Sequence, residues 1–326
     1  MVIEQVAVVG AGLAGLTCAR ELQTQGVGVT VFEKSRGVGG RLSTRRVDWA
    51  SFDHGTQYFT ARDPLFQAWI EYLLAIGTVA QWAPVMRQAP DNNDPWYVAC
   101  PDMNSLGRAQ AEGLDVVVNT RVMSFERSDD QWQLVMEDGS KSNRFDAVVV
   151  AVPNEQAAPM VEPLQPDWAQ QLTATPLQPC WTLMLSTALM DVAYEAGQPD
   201  TGPIGWWARN DSKPGRSTRG GQQDWVVQAT PSWTEQHLDD DKASVVSQLQ
   251  QAFLEEIGVQ ACRVIETAMA HRWLYARRTS GLPATEPSWW SDAIRLGVCG
   301  DGLTHSRVEQ AYLSGYDMAR QIQRTV

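Results

Sequence analysis

The stretch VAVVGAGLAGLTCARELQTQGVGVTVFEK, residues 6–34, decides how the rest of the chain is read. A short run rich in β-branched residues, 3–9, leads into Gly10, Gly12 and Gly15 in a GxGxxG pattern. Leu13, Ala14 and Gly15 then open a helical stretch that ends near Gln25-Gly26. A second strand pattern, VGVTVFEK, follows, with Glu33 and Lys34 at its C-terminal end. Together these make a strand–helix–strand unit. The glycines permit a tight turn, close backbone approach to a pyrophosphate and close helix–strand packing, with the helix N-terminus facing the phosphates. Glu33 lies 18 residues past Gly15, where a carboxylate can accept both hydroxyls of a ribose. The pattern calls for a dinucleotide without saying which one.

VFEKSRGVGGRLSTRR, residues 31–46, narrows the choice. A nicotinamide site has no need of a second glycine cluster just after the ribose carboxylate. A cofactor lying extended across the domain does, because its pyrophosphate passes a second loop. There the backbone at Gly39 and Gly40 and the guanidinium of Arg41 can neutralise it. The run from Gly10 through Arg41 resembles the FAD site of the flavin amine oxidase superfamily, and the resemblance places Arg41 on the FAD phosphates. The tail CGDGLTHSRVEQAYLSG, residues 299–315, resembles the same superfamily's C-terminal flavin motif. That implies contacts from Gly300 and Asp301 near the ribityl chain and a helix beginning near Arg307, with Val308 in its first turn, at the pyrimidine end of the flavin. A helix N-terminus stabilises the negative charge of a reduced flavin. Val122 matches the position whose backbone the superfamily turns toward the adenine. No cysteine stands in a context resembling covalent flavin attachment, so the FAD is expected to be non-covalent.

At 326 residues, 44% hydrophobic and 20% charged, the chain has room for two domains around real cores. A net charge of −12 disfavours nucleic acid and anionic membranes as partners. Cysteines 18, 100, 180, 262 and 299 are scattered without a CxxC pair, which fits neither a zinc site nor a disulfide framework. No metal is expected. The apolar run 6–19 lacks the positive flank of a signal peptide, and no run reaches membrane-spanning length. A cytoplasmic protein is the expectation.

Further along, residues 64–77 have helical spacing with Leu65, Trp69, Tyr72 and Leu73 on one side. Residues 181–187, 203–209, 225–230 and 263–274 read as strands, and 239–257 as a helix ending at Gly258. With no repeats and no long linker, two domains must interleave. The expected fold is α/β: a Rossmann-like FAD/NAD(P)-binding domain from 1–60, 105–165 and 285–326. An antiparallel sheet with helices, the substrate domain, is expected from 61–104 and 166–284.

FDHGTQYFTARDP, residues 52–64, contains Gly55, Gln57 and Tyr58. These resemble the GxQY segment of renalases, flavoproteins of the same superfamily, in which Gln and Tyr approach the flavin. The resemblance implies an FAD-dependent oxidase acting on 1,2- and 1,6-dihydro-NAD(P). Hydride would pass to flavin N5, giving NAD(P)+, and O2 would become H2O2. Such a reaction regains aromaticity and needs alignment of two flat rings more than a general base. Charge points the same way. Arg209, Lys213, Arg216 and Arg219 face only Asp211 in WARNDSKPGRSTR, and Arg272, Arg277 and Arg278 have no acid nearby in HRWLYARR. Such patches suit a phosphate-bearing dinucleotide better than a polyamine. Tyr58, His271, Asn210 and Gln228 are the candidates for facing substrate or flavin, while His54 and His305 flank flavin motifs and fit a structural role. Two alternatives stay open: an amine oxidase or desaturase on another small substrate, and a non-catalytic FAD-binding redox sensor.

Overall fold

The computed structural model describes residues 2–88, 93–217, 219–259, 265–278 and 286–324. The chain divides into two compact units, Met1–Leu42, Leu106–Leu177 and Arg277–Val326 in the first, Ser43–Ser105 and Gln178–Ala276 in the second.

The first unit is built on a six-stranded sheet. Its order is Ser288–Ser291, Leu296–Cys299, Ala147–Val150, Gln5–Val9, Gly28–Phe32, Asp115–Val117. All neighbours are parallel except the edge strand Ser288–Ser291. Strands covered on both faces read as unbroken apolar runs, which is why VAVV and AVVV carry no polar alternation. Val6 and Val8 pack with Leu16, Leu22, Met318 and Ile322 on one face. Ala7 and Val9 pack with Trp132, Phe145 and Ala157 on the other. The helices Leu13–Thr24 and Val308–Arg324 pack closely, since a Cβ on Gly315 would stand 2.1 Å from the Ala14 carbonyl oxygen. This unit has the Rossmann-like architecture expected.

The second unit holds a five-stranded sheet, ordered Ala196–Gly197, Ile204–Arg209, Gln222–Ala229, Leu177–Ala188, Ile265–Arg278. Residues 263–264 of the strand expected at 263–274 lie outside the described residues. One face buries Leu183, Trp207, Trp225 and Val227 against Leu249 and Phe253 of the helix Lys242–Ile257. Asp241 caps that helix by accepting from the Ala243 and Ser244 N–H groups, and Gly258 ends it in the left-handed conformation. The opposite face is mixed: Met184 and Val226 receive Phe52, and Gln228 sits in register with Thr182 and Trp206.

Three expectations are corrected. Residues 43–60 belong to the second unit, because Phe52 plugs its sheet and Asp53 forms ion pairs with Lys213 and Arg216. Residues 166–177 belong to the first, where Trp168 packs on Trp289 and Leu172 enters the core. The helix Pro64–Ala75 buries Phe66, Ile70 and Leu73, leaving Leu65 and Tyr72 exposed. Both apolar stripes fit a 3.6 period, and packing chose the one that periodicity alone did not. Among the described residues, no helix is long and apolar enough to cross a membrane.

The Gly315 contact gives a direct check. Gly315→Ala should destabilise the protein by about 1–3 kcal/mol through overpacking. A lower urea midpoint at unchanged slope is the expected reading.

Candidate functional site

The glycine turn of the first unit is shaped by three different demands. Gly10 has φ +106°, and a Cβ there would lie 2.5 Å from the Ala151 carbonyl oxygen. A Cβ on Gly15 would lie 2.1 Å from the Gly10 carbonyl oxygen. Beside Gly12 the space is open, with nothing within 4 Å of a Cβ position. No side chain caps the helix at Gly12, so the N–H groups of its first turn, at Leu13 and Ala14, are available to an external anion.

Glu33 is buried, and its two oxygens accept from the Ala11 N–H (2.9 Å) and the Ser35 N–H (2.8 Å). Each oxygen keeps a lone pair for a diol. The second glycine cluster lies against the first: the Gly39 N–H donates to the Ala11 carbonyl at 2.8 Å. A Cβ on Gly40 would sit 3.4 Å from the Gly12 Cα. Arg41 follows and pairs with the buried Asp301. The Gly300 N–H donates to Ser314 Oγ at 2.7 Å, which ties the 300–303 turn to the helix that begins at Val308. Val122 is buried at the start of a hairpin strand, in the same cluster as Phe32. Lys34 donates to Gln156 Oε1 at 2.8 Å, and burial lowers its pKa. Open space at Gly12, an uncapped helix start and a carboxylate with spare lone pairs fit the diphosphate and ribose of FAD. Cys299 is buried in its strand with its thiol pushed up to about 12 by burial, so it is a poor nucleophile.

In the second unit the segment 51–58 is held from several elements. Asn210 donates to the Ser51 carbonyl at 2.9 Å and accepts from the Asp53 N–H at 3.2 Å. Gln228 donates to the Gly55 carbonyl at 2.7 Å, and the Trp273 indole to the His54 carbonyl at 3.0 Å. Gln57 accepts from Lys213 Nζ at 3.1 Å and donates to the Asp53 and Gly55 carbonyls. Asn210, Gln228 and Gln57 therefore hold backbone, where the sequence reading aimed them at substrate or flavin. Tyr58 stacks on Trp96 at 3.8 Å, with Trp206 at 5.3 Å.

His271 meets His54 at 4.8 Å and Trp273 at 4.7 Å, both edge to face. His54 Nδ1 is buried without a hydrogen-bond partner. Burial first, then the charges of His271 and Arg45, lowers the His54 pKa to about 3. Burial, then Arg45 and Lys242, lowers that of His271 to about 4. Both rings are neutral at pH 7. His54, read as structural, thus stands beside the predicted His271; its place between Asp53 and the GxQY run was the signal.

The basic patches are largely neutralised within the fold. Arg209 pairs with Glu195 at 2.7 Å, Arg219 with Asp224 at 2.5 Å, and Arg216 and Lys213 with Asp53. Arg272 lies 5.7 Å over the Trp181 ring, and the Arg278 guanidinium donates to the Thr304 carbonyl at 2.7 Å. Sequence proximity hid these partners, most of which lie outside the basic runs themselves.

Comparisons with known proteins agree with the geometry of the first unit. Residues 8–73 match the NAD(P)-binding Rossmann-like domain, and residues 99–187 match the flavin containing amine oxidoreductase family. Over 51 residues the chain is 45% identical to 4,4'-diapophytoene desaturase (4,4'-diaponeurosporene-forming) of Staphylococcus aureus strain Newman. That alignment spans 16% of this chain and only 10% of the desaturase. A solved protein described as a protoporphyrinogen oxidase, from Exiguobacterium sp. 255-15, superimposes with a TM-score of 0.73 at 14% identity. It covers 98% of this chain and 99% of its own. Wild-type putrescine oxidase bound to putrescine superimposes with a TM-score of 0.70 at 13% identity, over 98% and 99% of the two chains. At these identities the likeness is one of fold.

Two outcomes are expected. Gly12→Ala should leave apoprotein stability within about 0.5 kcal/mol. It should weaken FAD binding about tenfold or more, one blocked amide contact being worth roughly 1.4 kcal/mol; fluorescence titration of the apoprotein reads this. The histidines set an acid limit. Because both folded pKa values lie below the ordinary 6.5, the unfolded chain takes up protons that the folded chain refuses as pH falls. Stability is therefore lost from about pH 6.5 down toward pH 4, and His271→Phe should flatten that decline in Tm.

Proposed function

We propose that this chain, a member of the flavin amine oxidase superfamily with FAD as its cofactor, oxidises isomeric dihydronicotinamide dinucleotides. The 1,2- and 1,6-dihydro forms of NAD(P) would return to NAD(P)+, with O2 reduced to H2O2. FAD, when bound, supplies the two-electron acceptor for hydride.

The observation that carries this reading is the cluster of His54, His271 and Trp273. Its two imidazoles are neutral and lie in the positive field of Arg45. Arg45 itself makes no ion pair with the described residues. Asp53, the adjacent carboxylate, is already held by Arg216 and Lys213. A protonated amine placed there would be repelled without compensation, whereas the phosphates of a dinucleotide would be attracted. The arginines of the basic runs, by contrast, are largely engaged by carboxylates within the fold. The half-buried Trp273 ring offers stacking surface to a nicotinamide. No residue need abstract a proton, because loss of hydride from the dihydropyridine restores aromaticity.

The free cysteines Cys18, Cys100, Cys180 and Cys299 accord with work in a reducing cytoplasm. The names of the relatives support a rival, an amine oxidase or desaturase. For an amine, the Tyr58–Trp96–Trp206 group would provide cation–π surface.

Anaerobic mixing of the yellow protein with 1,2- and 1,6-dihydro-NAD(P), 1,4-NADH and spermidine separates them. Bleaching of the flavin band by the abnormal isomers alone, with peroxide on return of air, is expected. Bleaching by spermidine would make the chain an amine oxidase. No bleaching by any donor would favour a redox sensor.

A further inference from the structure

We infer that Lys213 is a positioning residue: a buried cation that orients Gln57, and through it the segment carrying His54 and Tyr58, at a cost to stability. Its bearing on catalysis rests on the oxidase reading; its cost to stability does not.

The Asp53 carboxylate is satisfied without Lys213. Oδ2 accepts twice from Arg216, from Nε at 3.0 Å and from Nη2. Oδ1 accepts from Thr44 Oγ1 and from the Met103 N–H, each at 2.9 Å. Lys213 Nζ stands 3.7 Å from Oδ2, outside hydrogen-bond range, with its side chain 0% exposed. The interior thus holds two cations for one carboxylate. An extra buried charge is among the costliest things a core can contain, and a methionine of similar length would fill the same space without it. Burial accordingly pushes the Lys213 pKa down to about 7, against the raising influence of Asp53; Arg216 adds to the fall. These two are the charged groups that face it, and Cys100 lies within the field of both.

What the ammonium does that methionine cannot is choose the orientation of an amide. Ammonium only donates, so the Gln57 carbonyl oxygen must face Lys213, at 3.1 Å. That turns the Gln57 NH2 toward the Asp53 and Gly55 carbonyls. Gly55 also receives Gln228, and the neighbouring His54 carbonyl receives Trp273. Reversing one amide would set NH2 against an ammonium and a carbonyl against carbonyls, and the turn between His54 and Tyr58 would lose its shape. Lys213 further lies 5.4 Å over the ring of the buried Trp82.

The test compares wild type with Lys213→Met, Gln57→Leu and the double variant, all as FAD-loaded protein. Tm is measured at pH 6 and pH 9, FAD content by absorbance, and kcat and KM with 1,2-dihydro-NAD. Because the folded pKa lies below the unfolded one, the penalty is complete below about pH 7 and fades as pH rises toward the ordinary lysine value. Lys213→Met should therefore melt a few degrees above wild type at pH 6, with the gap shrinking at pH 9. It should retain FAD and lose about tenfold or more in kcat/KM. The double variant should be no worse than Gln57→Leu, since one residue acts through the other. A lower Tm for Lys213→Met at pH 6 would overturn the inference, as would unchanged kcat/KM or additive losses. If the isomers fail to reduce wild type, the oxidase reading falls, and the thermal comparison still decides whether the lysine is retained at a cost.

Discussion

A carboxylate cannot be buried without partners, and Asp53 is 1% exposed. Burial alone would raise its pKa; Lys213, Arg216 and the Met103 N–H reverse that and hold it below the ordinary carboxylate value. Its partners come from around residues 44, 103 and 213–216, so one side chain gathers three stretches of chain into a single unit. Removing Arg216, which makes both hydrogen bonds to Asp53 Oδ2, should cost about 3–5 kcal/mol, because the buried carboxylate would lose its paired guanidinium. This explains why the chain leaves the nucleotide unit directly after Leu42, although the motif that defines that unit ends one residue earlier. Phe52, placed on Met184 and Val226, secures the same crossing by apolar contact.

The nucleotide unit obeys a different constraint, close approach of backbone to backbone. Gly10 lies against Ala151, Gly15 against Gly10, and Gly315 against Ala14. Gly12 is the exception, facing open space at an uncapped helix start. The same residue type thus serves packing at three positions and leaves open space at the fourth. The acid Glu33 is fixed by two backbone amides, so its carboxylate is already oriented before any ribose arrives.

What could be read from sequence followed from how local each cause is. The strand–helix–strand unit was legible because GxGxxG, the apolar runs and Glu33 lie within one short stretch whose structure is set by its own geometry. The second glycine cluster and the Gly300-Asp301 turn were legible for the same reason. Asn210 and Gln228 were found as polar residues on strands, but their partners Ser51 and Gly55 lie far off in the chain, so their backbone-holding role was not. The arginine runs misled because Asp53, Glu195 and Asp224 reach them only in the folded protein. Leu65 and Tyr72 were assigned to the wrong side of their helix because two apolar stripes share one period.

Two physical features join in one account: a backbone cradle whose open, uncapped helix start fits a diphosphate, and a neutral imidazole–indole cluster in a positive field. The most direct measurement of that account is a titration of the oxidised holoprotein with NAD+ and, separately, with putrescine, following the flavin difference spectrum at low salt. The account predicts a saturable perturbation by NAD+ that weakens as salt screens the field, and none by putrescine. Saturable binding of putrescine with no response to NAD+ would contradict it.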